Sequence, residues 1–246
     1  MAGKPAPRRP SGNGLRMHAS SLPLPRPLLE RLAAYHQIAT QHGELGNVSI
    51  RSGHLAALLD IDPTLVRKDM AALGVVGRPK VGYPISALLP RLDHILGLTD
   101  RKNAILIGCG DLGSALARYG GFSKYGLQIS ALFDADEAKT GRTIAGLTVQ
   151  PMEKCRRYIE IFRIEMAILA APAACVQELA DWLVARGVRA IWNFAPVHLK
   201  VPVGVAVRNE NLALGLAQLL HEIKRTKTAP SLAEAPEPTG TRLESA

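Results

Sequence analysis

Apolar residues recur with two different periods along this chain, and the change of period divides it. From residue 27 to about 97 they return every three or four positions, the spacing of one buried helix face. From 103 to 208 short apolar runs alternate with helical stretches, so a small α-rich unit precedes an α/β unit. Leu28, Leu29, Leu32, Tyr35, Ile38 and Ala39 mark the inner stripe of a first helix, and Ile50, Leu55, Leu58 and Leu59 that of a second over Ser49 to Leu59. In the turn Asp60-Ile61-Asp62-Pro63, Asp62 can cap a third helix and Pro63 can take its first position, where no needed amide bond is lost. That helix, Pro63 to Leu73, keeps Leu65, Val66, Met70 and Leu73 inward, turns Thr64, Arg67 and Lys68 outward, and stops at Gly74. The following Gly77-Arg78-Pro79-Lys80-Val81-Gly82-Tyr83 is basic and bracketed by glycine, a composition suited to a β-wing along a nucleic-acid backbone or in a minor groove. This order is what a helix-turn-helix needs, with Arg67 and Lys68 as the candidate DNA contacts beside Thr64. Small helical domains also show such spacing without binding DNA.

In the second half, strands are predicted at 104–107, 128–133, 147–149, 165–170, 188–192 and 203–207. Leu147-Thr148-Val149 is short and reads as an edge element, whereas the uncharged Met166 to Ala170 suits a central parallel strand buried on both faces. A last helix, Asn211 to about Lys224, carries Leu212, Leu216, Leu219 and Ile223 on one stripe with Leu220 nearby. Such a stripe serves either packing within its own subunit or exchange with a partner in a symmetric dimer. The domain plan is a disordered basic arm (1–26), a winged-helix domain (27–98), a Rossmann-type doubly wound parallel sheet (99–208), a C-terminal dimerisation helix (209–225) and a disordered tail (226–246), with the joint near Gly97 to Lys102.

The segment Ala104 to Ala115 runs from an apolar strand through Gly108-Cys109-Gly110-Asp111-Leu112-Gly113 into a helix, and Asp134 follows the last glycine by 21 residues. In this dinucleotide-binding pattern Gly108 makes the tight turn, Gly110 lets the backbone approach a pyrophosphate, and Gly113 lets the helix pack close to the strand. Asp134 suits a ribose diol and, by repelling a 2′-phosphate, favours NAD(H) over NADP(H). Ligands of open α/β sheets sit beyond the carboxyl ends of the strands, which places Pro172 and Asn193-Phe194-Ala195-Pro196 on the nicotinamide side, unless they are only strand-to-helix turns. The same loop serves oxidoreductases and CoA or other nucleotide binders. Against an enzyme, the α/β region offers only His198 before His221 as an evident acid or base, and no substrate domain follows.

The formal net charge is +9, and residues 1–29 carry Lys4, Arg8, Arg9, Arg16 and Arg26 without a single acid, which points to a polyanionic partner, DNA first, or else to a solvated basic tail. Cys109, Cys155 and Cys175 fit neither a disulfide framework nor metal spacing, so a reducing cytoplasm is expected and no metal. Cys109 lies at a helix N-terminus, where a thiolate is favoured; it is either a thiol sensor or a small residue tolerated beside glycine. The longest uncharged stretch, Met166 to Gln177, has twelve residues, too few to span a bilayer, and residues 1–25 lack the apolar core of a secretory signal.

Taken in order, Val66-Arg67-Lys68-Asp69, Gly82-Tyr83, Ile107 to Gly113, Phe133-Asp134-Ala135-Asp136 and Asn193-Phe194-Ala195-Pro196 resemble the Rex redox-sensing transcriptional repressors over about residues 27 to 224. The resemblance implies a homodimer that binds inverted-repeat operators when NAD⁺ dominates and releases them as NADH rises, with a domain-swapped C-terminal helix. It implies operator contacts from Arg67 and Lys68 and, at the wing, Arg78, Lys80 and Tyr83. It also implies a pyrophosphate cradle from Gly108 to Gly113, the adenosine ribose on Asp134, and a switch tyrosine, Tyr119, near the nicotinamide. In that family an arginine of the first helix and an aspartate heading the last helix join in the switch; here the corresponding residues are Gln37 and Asn211. Charge-assisted bonds are about twice as strong as neutral ones, so a weakened NADH response is expected.

Overall fold

The computed structural model describes residues 24–228, so the expected basic arm lies outside it up to residue 23 and the expected tail from residue 229. By its contacts the chain divides into a unit ending at Gly97 and a unit beginning at Leu98.

The first unit comprises α1 (Arg26–Glu44), β1 (Ser49–Ile50), α2 (Ser52–Leu59), α3 (Pro63–Ala72), β2 (Tyr83–Pro84) and α4 (Ile85–Leu96). Leu32, Tyr35 and Ala39 of α1, Leu55 of α2, Val66 and Met70 of α3 and Leu88 and Leu92 of α4 meet in one core. Asp62 caps α3 by accepting a bond from the Thr64 amide, and Pro63 holds the first helical position. The second helix is shorter than its apolar spacing suggests. Ser49 and Ile50 are extended and pair antiparallel with Pro84 and Tyr83. A buried β-branched Ile50 suits a strand as well as a helix stripe, and the pairing partner that decides between them lies far along the chain. Arg78 and Gly82 close the wing by exchanging backbone bonds of 2.8 and 2.9 Å, with Pro79 and Lys80 at its tip.

The second unit runs β3 (Lys102–Ile107), α5 (Asp111–Arg118), β4 (Leu127–Asp134), β5 (Thr143–Ile144), β6 (Leu147–Pro151), α6 (Cys155–Phe162), β7 (Met166–Leu169), α7 (Val176–Val184), β8 (Ala190–Asn193), β9 (Ala206–Asn209) and α8 (Leu212–Thr228). Its sheet has the order β5-β6-β4-β3-β7-β8-β9, parallel throughout except for the antiparallel β5. Strand order reverses between β3 and β7, and ligands of such sheets bind beyond that point. β6 is not an edge: Thr143 and Ile144 pair outside it, an edge too short to carry its own apolar signal. The last strand begins at Ala206 rather than 203, because Val205 N closes a turn onto Pro202 O and Gly204 takes φ +93°. The first strands are buried as expected, with Ile105, Ile107, Ala167 and Leu169 packed on one face and Ala104, Leu106 and Ile168 on the other. Among the described residues, no helix is long and apolar enough to cross a membrane.

Candidate nucleic-acid and dinucleotide sites

Two depressions hold most of the candidate residues, one on each unit. On the first unit a groove of about 1220 Å³ is lined by Arg51, Arg67, Arg78 and Lys80 together with His42 and His54, and among the described residues no carboxylate lines it. Thr64, Arg67, Lys68, Arg78 and Lys80 are all exposed. Arg67 Nη2 donates to Thr64 Oγ1 at 3.0 Å, which holds the guanidinium along the outer face of α3. Tyr83 differs from these: its ring is buried and abuts Gly77, where a Cβ would stand 2.9 Å from Cε1, so it supports the base of the wing. Arg51 enters the same groove from the junction of β1 and α2, a place the helix-turn-helix reading does not single out.

α3 is tied to α1 by a partly buried fork. Arg31 Nε and Nη2 donate to Asp69 Oδ2 and Oδ1 at 2.7 and 2.9 Å, and the Tyr35 hydroxyl donates to Oδ2 at 2.9 Å. Burial alone would raise the Asp69 pKa, but the bonds from Arg31 and Tyr35 outweigh it and hold the carboxyl below its ordinary value. Burial, then the bond to Asp69, pushes the Tyr35 hydroxyl well up. Asp69 lies between Lys68 and Met70 in sequence and shows neither partner; no local pattern reveals Arg31 as its counterion.

On the second unit a cavity of about 1070 Å³ opens beyond the carboxyl ends of β3 and β7, and it gathers Gly108, Gly110, Leu112, Asp134, Pro172 and Phe194. Gly108 has φ +97°, and a Cβ there would stand 2.5 Å from Ala170 O. Gly113 is packed against the Gly108 carbonyl, leaving no room for a side chain. At Gly110 a Cβ would meet nothing within 4 Å, so the space before it is open to a ligand. The first amides of α5 have no carbonyl within the helix to donate to, and the positive end of the helix faces the same opening. These are the requirements of a pyrophosphate cradle, and the residues fit one.

The remaining candidates serve the frame of the site. Asn193 is fully buried; its Nδ2 donates to Val197 O and Asn209 Oδ1, both at 2.8 Å, and its Oδ1 accepts from Ala195 N. It thereby fixes the turn that sets Phe194 against the cavity. Cys109 is buried beneath the loop, its amide spent on Asp134 Oδ2 at 2.6 Å. Burial and then the Asp134 charge push its thiol up to about 11, so the thiolate expected at a helix N-terminus does not form at neutral pH. Asp111 is exposed in the first turn of α5 and outside the cavity lining. Tyr119 is exposed and stacks edge-on with Phe122 at 4.8 Å, also outside that lining. Gln37 is exposed on α1, and Asn211 Oδ1 accepts the Ala213 amide at 3.0 Å as the cap of α8. Lys139 lines the cavity without having been singled out in sequence, and so does Asp136, which the sequence motif Phe133-Asp134-Ala135-Asp136 includes without giving it a role.

Comparison with known proteins accounts for both units. A "CoA binding domain" description matches residues 99–197, and a "Putative DNA-binding protein N-terminus" matches residues 23–71. A "Redox-sensing transcriptional repressor Rex" of Rhodopirellula baltica is 37% identical over 201 residues, covering 82% of this chain and 85% of that protein. Its namesake from Chloroflexus aurantiacus is 41% identical over 192 residues, covering 78% and 90%. Among solved structures, "RSP in complex with beta-NAD+ and operator DNA" superposes with a TM-score of 0.77 at 30% identity, covering 84% of this chain and 95% of that one. "RSP in complex with beta-NADH" superposes with a TM-score of 0.76.

Proposed function

The chain belongs to the Rex family of redox-sensing transcriptional repressors, and from that premise we propose that it binds an inverted-repeat operator as a cytoplasmic homodimer and leaves it as NADH rises. The observation that carries this reading is the presence, in one chain, of a cationic groove beside α3 and of a glycine cradle at a sheet switch point. Arg67 and Lys68 contact the operator, with Thr64 beside them and Arg78 and Lys80 at the wing tracking phosphates. Gly108 to Gly113 hold the pyrophosphate, and Pro172 and Phe194 line the cavity further along. The domains in this reading are the winged helix of residues 27–98, the Rossmann domain of 99–208 and the dimerisation helix of 209–225. The relatives that match most of this chain are transcriptional repressors, which favours a regulator over an enzyme.

The redox response is weaker than an ion pair would make it. Gln37 is neutral and the Asn211 amide is engaged in capping α8, so neither residue supplies a charge that would distinguish the two quaternary states. A gel shift on an inverted-repeat operator with NAD⁺, NADH and neither tests the whole reading. Retarded DNA with NAD⁺ and partial release at high NADH are expected. Absence of any DNA complex refutes the repressor, and full release at low-micromolar NADH refutes the weakened switch.

A further inference from the structure

Ile161 and Phe162, at the end of α6, remain 59% and 56% exposed. Cys155 and Ile159 take the inward face of that helix, which leaves its last two apolar residues outside. Tyr158 beside them is fixed: its hydroxyl donates to Ser130 O at 3.0 Å, and its ring meets Phe133 at 5.7 Å and Phe162 at 4.4 Å. A groove of about 460 Å³ runs between this patch and β6, with Leu147, Thr148 and Gln150 on the strand side. Lys154 and Arg157 border it, and among the described residues no carboxylate lines it. Arg156 on the same helix takes Glu160 at 2.8 Å, whereas Arg157 meets no described carboxylate.

An apolar patch with cations at its border fits a segment that brings leucines and acids together. Residues 229–246 of this chain have that composition: Leu232 and Leu243 accompany Glu234, Glu237 and Glu244, with Arg242 as their one cation. They are acidic at the end of a chain whose formal net charge is +9. Extended, they reach about 60 Å, more than the roughly 35 Å width of a compact domain of the second unit's size. A second copy fits less well, because two-fold pairing of identical faces sets Lys154 and Arg157 against their own kind.

We propose that residues 229–246 dock in the groove between β6 and α6, with Leu232 against Ile161 and Phe162 and the glutamates on Lys154 and Arg157. The inference stands apart from the operator and dinucleotide readings. A tethered segment has an effective concentration in the millimolar range, so an affinity of about 100 µM between separate pieces suffices to close the contact about tenfold.

Hydrogen exchange of the full chain, followed by mass spectrometry, tests the docking. Amides of residues 231–237 should exchange about tenfold more slowly than in a synthetic peptide of residues 229–246. Lys154→Glu with Arg157→Glu, two exposed positions, should abolish that protection at unchanged melting temperature. Adding Glu234→Lys and Glu237→Lys to that variant should restore it, which damage to the fold could not do. Phe162→Ser should abolish it through loss of the apolar contact. Wild-type amides that exchange as fast as those of the peptide overturn the proposal, and so does protection that survives the charge reversal in the groove. If Phe162→Ser changes the oligomeric state in sedimentation and leaves exchange of residues 231–237 unaltered, the groove takes a second copy and the proposal is overturned as well.

Discussion

Asp69 is held by the Arg31 fork and the Tyr35 hydroxyl, so removing it leaves both donors without their acceptor. Asp69→Ala should cost roughly 2 kcal/mol of stability in the first unit, measured by chemical denaturation: the buried Tyr35 hydroxyl loses its acceptor, while the partly exposed Arg31 guanidinium regains solvent and costs less than a fully buried charge would. The sign of its pH dependence follows from the lowered pKa. Stability from a depressed carboxyl is complete above its ordinary value near 3.9 and disappears as pH falls through the folded value. Thermal melts of the wild type should therefore drop in acid below about pH 4, and Asp69→Asn should flatten that limb. The neighbouring Lys68 turns outward into solvent while Asp69 turns in, a contrast that the helical period makes legible but whose partner it cannot name.

Elements carry the two sites by different means. In the proposed function α3 is the recognition element: its cap, its proline and its inward Val66 and Met70 hold it in the core of the first unit and leave Thr64, Arg67 and Lys68 on the outside. Arg67→Ala should weaken operator binding in fluorescence anisotropy and reduce the slope of log affinity against log salt by about 1, as loss of one phosphate contact does; an unchanged slope would assign Arg67 a purely intramolecular role with Thr64. The turn from β3 into α5 depends on absent side chains. A methyl group at Gly113 collides with the Gly108 carbonyl, a backbone atom that cannot swing aside. Gly113→Ala should melt several degrees lower and lose calorimetric binding of NADH, whereas Gly110→Ala, whose Cβ has open space, should fold normally and lose only the ligand.

At the scale of the whole molecule, α8 displays Leu212, Leu216, Leu219, Leu220 and Ile223, all exposed in the single chain. So continuous an apolar stripe needs a cover, and the dimer of the proposed function supplies one. Sedimentation should show a dimer for the wild type, and Leu219→Asp should yield monomers that no longer retard an inverted-repeat operator. Monomeric wild-type protein that still binds such DNA tightly would remove the need for α8 in recognition.

The sequence by itself determined the succession of a helical unit and a parallel sheet, the cap of α3, the outward cations and the glycine turn, because each follows from spacing within a dozen residues. It also determined that Gly108, Gly110 and Gly113 belong to one loop. Tertiary structure alone decided that Ser49 and Ile50 pair with residues beyond the wing, that Thr143 and Ile144 form the sheet edge, and that Asn193 is consumed by its own turn. It also decided that Asp134 is buried and Asp136 exposed, since which of two nearby carboxylates is buried depends on the amides and the ammonium folded around them.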